Sequence, residues 1–254
     1  MKSAFHIFLF AVLFLPAPVL ADSIWGEFDV VADEAIPENG EKEIFAGRLN
    51  LGYLATSGNT ETASFNGKLA LGWDLEKWRH AVVMSSIRSE EDGITTAENH
   101  QAGYKLDRKL DEKNYLFFLA SWEQDEFSGF DEQTSQAVGY GRRMLETDTQ
   151  LLDLEIGVGA RQTELSDGTE RDETIGRLAG NYKWQFSETS DFTQKLAVES
   201  GDENTYTESV TGLSLQVMGN LDLAISYTIK RNSDVPLGNE NTDTYTTVSL
   251  QYDF

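Results

Sequence analysis

The chain has no cysteine among its 254 residues, which excludes disulfide staples, thiolate nucleophiles and cysteine-ligated metals. Proline is nearly as scarce. Pro16, Pro18 and Pro37 lie before residue 44, and the rest of the chain holds only Pro236, in the polar run 231–241. Because proline cannot donate to a β-ladder, a sequence this poor in it can form long uninterrupted strands. Basic residues number 20 against 43 acidic ones, a formal net charge of −23, so no nucleic-acid partner is expected. After residue 21 there is also no apolar run of the roughly 20 residues that a spanning helix needs. Only helices and closed barrels satisfy their backbone polar groups in lipid, so a membrane protein made from this chain would be a barrel.

Both ends of the chain point to export. Lys2 precedes an apolar stretch from Phe5 to Leu15, and Val19-Leu20-Ala21 brings small or modest side chains before Asp22. The stretch is too short for an anchor and is broken by Pro16 and Pro18, so residues 1–21 are expected to be a cleaved signal peptide. Residues 22–44 set Asp22, Glu27, Asp29, Asp33, Glu34, Glu38, Glu41 and Glu43 against Lys42, and read as a hydrated acidic periplasmic leader. At the other end Val248, Leu250, Tyr252 and Phe254 alternate with Ser249, Gln251 and Asp253, giving one face suited to lipid and one to a wet interior. The aromatic that closes this strand resembles the signal read by the bacterial barrel-assembly machinery, which is therefore an expected partner.

From about residue 45 the chain alternates through twelve segments separated by polar turns. This predicts an all-β, transmembrane antiparallel up-and-down barrel over residues 45–254. The first pair is the clearest: Leu49, Leu51, Tyr53 and Ala55 alternate with Arg48, Asn50, Gly52 and Leu54, then Ser57-Gly58-Asn59-Thr60 turns the chain into Ala63, Phe65, Leu69, Leu71 and Trp73. Two segments are ambiguous. The one around Tyr115–Trp122 is apolar on both faces, and the one around Arg79–Ile87 declares no lipid face. An even strand number puts both barrel termini on the periplasmic side. Phe45, Trp73, Trp78, Tyr115, Phe117, Trp184, Phe186, Phe192, Tyr252 and Phe254 then fall at periplasmic strand ends, with Trp122, Phe127, Tyr206 and Tyr227 toward the outer ends, as an interfacial aromatic belt requires.

Where the alternation is clear, it turns Arg48, Lys68, Arg161, Arg177, Lys183, Lys195 and Lys230 inward with Asp74, Asp153, Glu155, Glu199, Asp222 and Asp253. Such a mixed wall suits either a water-filled lumen or one closed by internal salt bridges. Arg48, Lys68, Asp153, Glu155, Arg161, Arg177 and Lys183 are the candidate lumen residues. The acidic surplus is assigned to the leader and the outward loops, at Glu90-Glu91-Asp92, Asp125-Glu126, Asp131-Glu132, Glu164, Asp167, Glu170, Asp172, Glu173 and Asp202-Glu203. There it would be solvated, or would hold divalent cations with lipopolysaccharide phosphates. Outer-membrane lipid and lipopolysaccharide are the expected surroundings.

Signals for chemistry are weak. Beyond the signal segment the histidines are His80 and His100; Ser85, Ser86 and Ser89 are near His80 in sequence, and Glu98-Asn99-His100 offers a carboxylate, but nothing in the pattern fixes their faces. No metal spacing, phosphate-cradling loop or nucleotide motif occurs, so no metal or cofactor is expected. Gly139-Tyr140-Gly141 and Gly157-Val158-Gly159 read as inward glycine pairs that let a strand bend or a larger neighbour fill the lumen.

The segment Gly52-Tyr53-Leu54-Ala55-Thr56-Ser57-Gly58-Asn59-Thr60-Glu61-Thr62 resembles the opening motif of the salt-induced outer-membrane proteins, a bacterial β-barrel family of unknown function. Ile156-Gly157-Val158-Gly159-Ala160-Arg161 is similar to that family's inner-strand glycine repeat. The resemblance covers about residues 45–254. It implies an outer-membrane barrel linked to salt or osmotic response and carries over no catalytic residues. The leading expectation is a non-catalytic integral barrel serving as a narrow channel for ions or small solutes. A structural or adhesive barrel without a pore is the alternative, and a barrel-borne hydrolase or acyltransferase comes third.

Overall fold

The structure, a computed structural model, describes residues 45–56, 62–125, 130–236 and 239–254, with side chains in the first segment described as far as Tyr53. The signal peptide, the acidic leader, the Ser57–Thr60 turn and Phe127 lie outside these residues. Twelve strands follow in order: β1 (Phe45–Thr56), β2 (Thr62–Asp74), β3 (Trp78–Glu91), β4 (Ile94–Lys109), β5 (Asn114–Asp125), β6 (Phe130–Glu146), β7 (Gln150–Leu165), β8 (Glu170–Ser187), β9 (Ser190–Ser200), β10 (Thr205–Met218), β11 (Leu221–Asn232) and β12 (Thr242–Asp253). Each pairs antiparallel with the next, and β12 returns to β1, so the sheet closes. Closure leaves no exposed ladder. At the seam Arg48 lies opposite Asp253 and Leu51 opposite Leu250, and Gly47 and Phe254 exchange backbone hydrogen bonds of 2.6 and 2.8 Å. The end of the barrel at which β1 starts is called proximal below, and the opposite end distal.

The polarity is inside out. Outward positions carry exposed Leu51, Met84, Phe118, Val138, Ile156, Val158, Leu178, Leu196, Val248 and Leu250, whereas the fully buried side chains include Arg161, Glu199, Asp74 and Asp153. A soluble barrel would put these sets the other way round; apolar-out and polar-in is what a bilayer-spanning barrel needs. Proximal connections are short, and the two-residue turns 188–189 and 219–220 leave nothing to fold into the lumen. In the 110–113 turn, Asp111 accepts from the Asn114 amide and from the N–H groups of Lys113 and Asn114, which hold its carboxyl below the usual carboxylate range. That contribution is present at neutral pH and is lost as pH falls through the lowered value.

The ambiguous strands are settled by packing. β3 turns Arg79, Ala81, Val83, Ser85, Ile87 and Ser89 inward and Trp78, Val82, Met84, Ser86 and Arg88 outward. β5 turns Tyr115, Phe117 and Leu119 inward, each at most 3% exposed, and these form with Ala70, Ala81, Val83 and Ala137 an apolar wedge inside the wall. Tyr115 and Phe117 therefore do not belong to the aromatic belt expected from the sequence, nor does Tyr206, which is buried inside β10. The rings face the glycines. A Cβ built at Gly141 would meet Tyr115 ring atoms at 2.2 Å, and one at Gly139 would meet the Phe117 ring at 2.6 Å. Gly139 and Gly141 thus leave room for the aromatic side chains of β5, whereas Gly157 and Gly159 on β7 are confined first by the β6 backbone, at the Val138 and Gln136 carbonyls.

Candidate functional site

The lumen holds the candidate site. All seven candidate lumen residues point into it: Arg48, Lys68, Asp153, Glu155, Arg161 and Arg177 are buried, and Lys183 lines a cavity of about 100 Å³ with Lys195, Asp191 and Asp222. Several bond to residues that the alternation did not mark. Asp153 accepts from Arg143 at 3.0–3.1 Å, Glu155 from Lys105 at 2.6 Å and the Tyr115 hydroxyl at 3.0 Å, and Arg161 pairs with Glu173 at 2.6 Å. Arg177 pairs with Glu199 at 2.9 Å, and Arg48 with Asp253 across the seam at 2.7 Å.

Among the described residues, some contacts reach across the lumen, Ser135 on β6 to Glu199 on β9 at 3.3 Å being one. Lys105 on β4 reaches Glu155 on β7 past two intervening strands, in the proximal half. Lys230 on β11 donates to Glu123 on β5 at 2.8 Å, and these strands stand diametrically opposite in a ring of twelve. Asn99 and Gln101 also donate to Glu123, at 2.9 and 2.8 Å. A twelve-stranded wall would otherwise enclose a wider interior than the side-chain-filled eight-stranded barrels. Beside these contacts the proximal mouth opens as a cavity of about 720 Å³ lined by Glu76, Lys77, Arg79, Lys109, Asp111 and Arg143, while a distal cavity at Glu123, Lys230 and Tyr245 is about 30 Å³. Glu123 and Lys105 went unmarked because β5 and β4 carry apolar or mixed residues on both faces, so no period-2 signal separates wall from lumen there.

Near the distal mouth a second arrangement seals the rim. Glu173 accepts from the backbone N–H groups of Glu203 and Asn204, each at 2.8 Å, while Arg161 donates to Glu173 and to the Asn204 carbonyl at 2.7 Å. Asn204 in turn donates to Asn232 at 2.7 Å and accepts from the Ser233 N–H at 2.9 Å. The short 201–204 turn is thereby drawn onto the inner wall. Glu173 and Asp125, assigned to outward acidic loops from the sequence, are both buried inside: Asp125 accepts from Asn99 at 3.1 Å. Asp125 is the last residue of β5 and Glu173 the fourth of β8, both at inward positions, so the inward faces continue to the rim.

On the outer wall Ser85 and Ser89 turn away from the histidines, into the barrel. Ser86 faces out and lies opposite His100, with Oγ 3.0 Å from Nδ1, and Nε2 of the same ring is 3.3 Å from Glu98 Oε1. His80 instead meets the Tyr104 hydroxyl at 2.8 Å.

Solved structures similar to this chain include the NanC porin, at 12% identity and a TM-score of 0.47 over 82% of this chain and 96% of that one. The KdgM porin is similar at 12% identity and a TM-score of 0.45, covering 83% and 99%, and the translocator domain of the autotransporter NalP from Neisseria meningitidis at 12% and 0.48, covering 89% and 93%. An uncharacterized protein of Escherichia coli (strain K12), YdiY, is 30% identical over 246 residues, which cover 94% of this chain and 97% of that protein. A family model described as protein of unknown function, DUF481, matches residues 49–254, nearly the whole barrel, and the chain belongs to that family.

Proposed function

We propose that the chain is an integral outer-membrane barrel, exported after removal of residues 1–21, whose lumen is a narrow pathway for ions or small solutes held nearly closed by transverse ion pairs. Its physiological setting would be the salt or osmotic response after which the resembled family is named. The observation that supports this reading is the Lys230–Glu123 contact, a charged pair spanning diametrically opposite strands inside a polar wall. Charged pairs of mixed sign are poor core fillers, because their desolvation offsets most of their attraction. They are well suited to a wall that ions pass.

The test is conductance in planar bilayers. Replacing both partners, Lys230→Met with Glu123→Gln, removes the two charges of the contact together, and is expected to raise the unitary conductance severalfold over small native steps. Silence of both proteins would sink the channel reading. It would favour a sealed envelope barrel, a second reading supported by the Tyr115, Phe117 and Leu119 wedge.

Assembly supplies a further expectation. Val248, Leu250, Tyr252 and Phe254 are all exposed on the outer face beside the seam, where the Phe254 ring lies 6.3 Å from Phe45 and stacks on Tyr252 at 6.2 Å. We assign these four as the surface read by the barrel-assembly machinery. Phe254→Ala should lower severalfold the amount of heat-modifiable protein recovered in the outer-membrane fraction; unchanged recovery would remove the assignment.

A further inference from the structure

The inside of the barrel and its seam leave unexplained a polar cluster on the outer wall around Ser86 and His100. The pairing registers place side chains there in rows. Leu69, Met84, Ala102 and Trp122 form one outward row, and one step toward the distal end the row is Gly67, Ser86, His100 and Gln124. The next is Phe65, Arg88 and Glu98. Ser86 and His100 therefore stand where the apolar band gives way to polar side chains. On the membrane-spanning reading above, that is the depth of lipid ester groups, with acyl chains on one side and headgroups on the other.

The chemistry of the cluster is ordered. With a proton on Nε2 given to Glu98, the Nδ1 lone pair of His100 faces the Ser86 hydroxyl at 3.0 Å. This is the nucleophile, base and orienting carboxylate of an acyl-transfer site, recognised by roles and distances rather than by order in the chain. Arg88 follows Ser86 by two residues on the same face, pairs with Glu90 at 2.9 Å and lies 3.9 Å from Glu98. It is the one cation in this cluster placed to meet a developing oxyanion or a lipid phosphate. Beside Ser86 the wall has a shelf. A Cβ at Gly67 would make only ordinary contacts, to Phe65 at 3.4 Å and Leu51 at 3.6 Å, so packing does not demand glycine there, and the space over the glycine, opposite the serine, is bordered by those two side chains. Phe65, Met84 and Leu51, all exposed, supply an apolar surface around that space.

We propose that Ser86, His100 and Glu98 form a lateral esterase or acyl-transfer site acting on carboxylic esters of membrane lipids. Ser86 Oγ bonds to the ester carbonyl carbon as its proton passes to His100; the C–O bond to the alcohol breaks, and the alcohol leaves with that proton. Water then adds to the acyl carbon, giving a proton to His100, and the fatty acid departs as Ser86 recovers it. Ser86 and His100 are the catalytic residues. Glu98 is a positioning residue that acts through His100.

The test uses the full-length protein in detergent–phospholipid micelles, with a fluorophosphonate probe and release of fatty acid from phosphatidylethanolamine. Each variant is first shown to be folded by heat-modifiable migration, which separates failure of this proposal from failure of the barrel reading. The native protein should label at Ser86 and release fatty acid. Labelling should vanish in Ser86→Ala and fall on the order of 100-fold in His100→Ala. Glu98→Ala should reduce it about tenfold, with most of the loss restored in Glu98→Gln, which keeps an acceptor oxygen for Nε2. Folded native protein that neither labels nor releases fatty acid overturns the proposal and leaves the cluster as a hydrogen-bonded polar collar. Labelling that survives Ser86→Ala, or that is unaffected by His100→Ala, overturns it equally.

Discussion

Alanine at Gly139 is expected to destabilise the barrel by straining the β6–β7 ladder, and alanine at Gly141 to weaken it in a way that a second substitution can repair. The two glycines lie on the same inward face of β6, two residues apart, yet they are confined by different things. A Cβ at Gly139 would sit 2.2 Å from the Ile156 carbonyl oxygen as well as 2.6 Å from the Phe117 ring. The carbonyl belongs to β7 and cannot retreat without opening the β6–β7 ladder. At Gly141 the near contacts are all to the Tyr115 side chain, two ring carbons at 2.2 Å and the hydroxyl at 2.6 Å, and a side chain can be exchanged. Overpacking typically costs about 1–3 kcal/mol, and Gly139→Ala should reach or pass the upper end because the obstacle is backbone. Chemical unfolding of protein folded into lipid vesicles checks this. Adding Phe117→Ala should not rescue Gly139→Ala, whereas adding Tyr115→Ala should recover much of the loss in Gly141→Ala. Equal rescue at both positions would show that the rings, and not the strand pairing, set the requirement.

Removing the Arg161 side chain should be the most damaging of the charge substitutions. Arg161 is 1% exposed, holds Glu173 at 2.6 Å and also ties down the Asn204 carbonyl. Loss of one partner from a buried pair commonly costs about 3–5 kcal/mol, since the remaining charge is left without compensation. Arg161→Met should fall at the lower end of that range, because Glu173 keeps two backbone N–H donors from Glu203 and Asn204. The double variant Arg161→Met with Glu173→Gln should be more stable than Arg161→Met alone. A double-mutant cycle by unfolding in vesicles measures the coupling, and additivity of the two substitutions would show that the pair does not act as a unit. The single variant should also release the 201–204 turn from the wall, visible as faster amide exchange at Asn204.

Much of this was legible in the residues themselves. Alternation such as Leu152, Leu154, Ile156 and Val158 against Asp153 and Glu155 sets apolar and polar side chains on opposite faces of a strand whatever surrounds it, and its recurrence through most of twelve turn-bounded segments implies a closed wall. The structure has that wall, with strand limits that differ from the sequence reading by a few residues. Legibility ended where alternation did. Tyr115, Leu116, Phe117 and Phe118 carry no period-2 contrast, so the sequence does not separate the inward wedge of Tyr115 and Phe117 from a belt, nor mark Glu123 on the same strand as a lumen residue. Glu173 and Asp125 were misplaced for a related reason: charge near a turn looks solvated until the inward face of an extended strand is seen to claim it.

The sequence by itself determined which residues share a face and that the sheet should close, because side-chain direction along a strand is a local property of the backbone. Register and curvature are not local. Only the tertiary structure decided that Lys230 meets Glu123 across the lumen, that Tyr115 fills the space above Gly141, and that Ser86 on β3 stands opposite His100 on β4 instead of near His80. Each of those contacts joins residues whose relative position depends on how neighbouring or opposite strands are staggered around the ring, a quantity fixed by the packing of the whole wall.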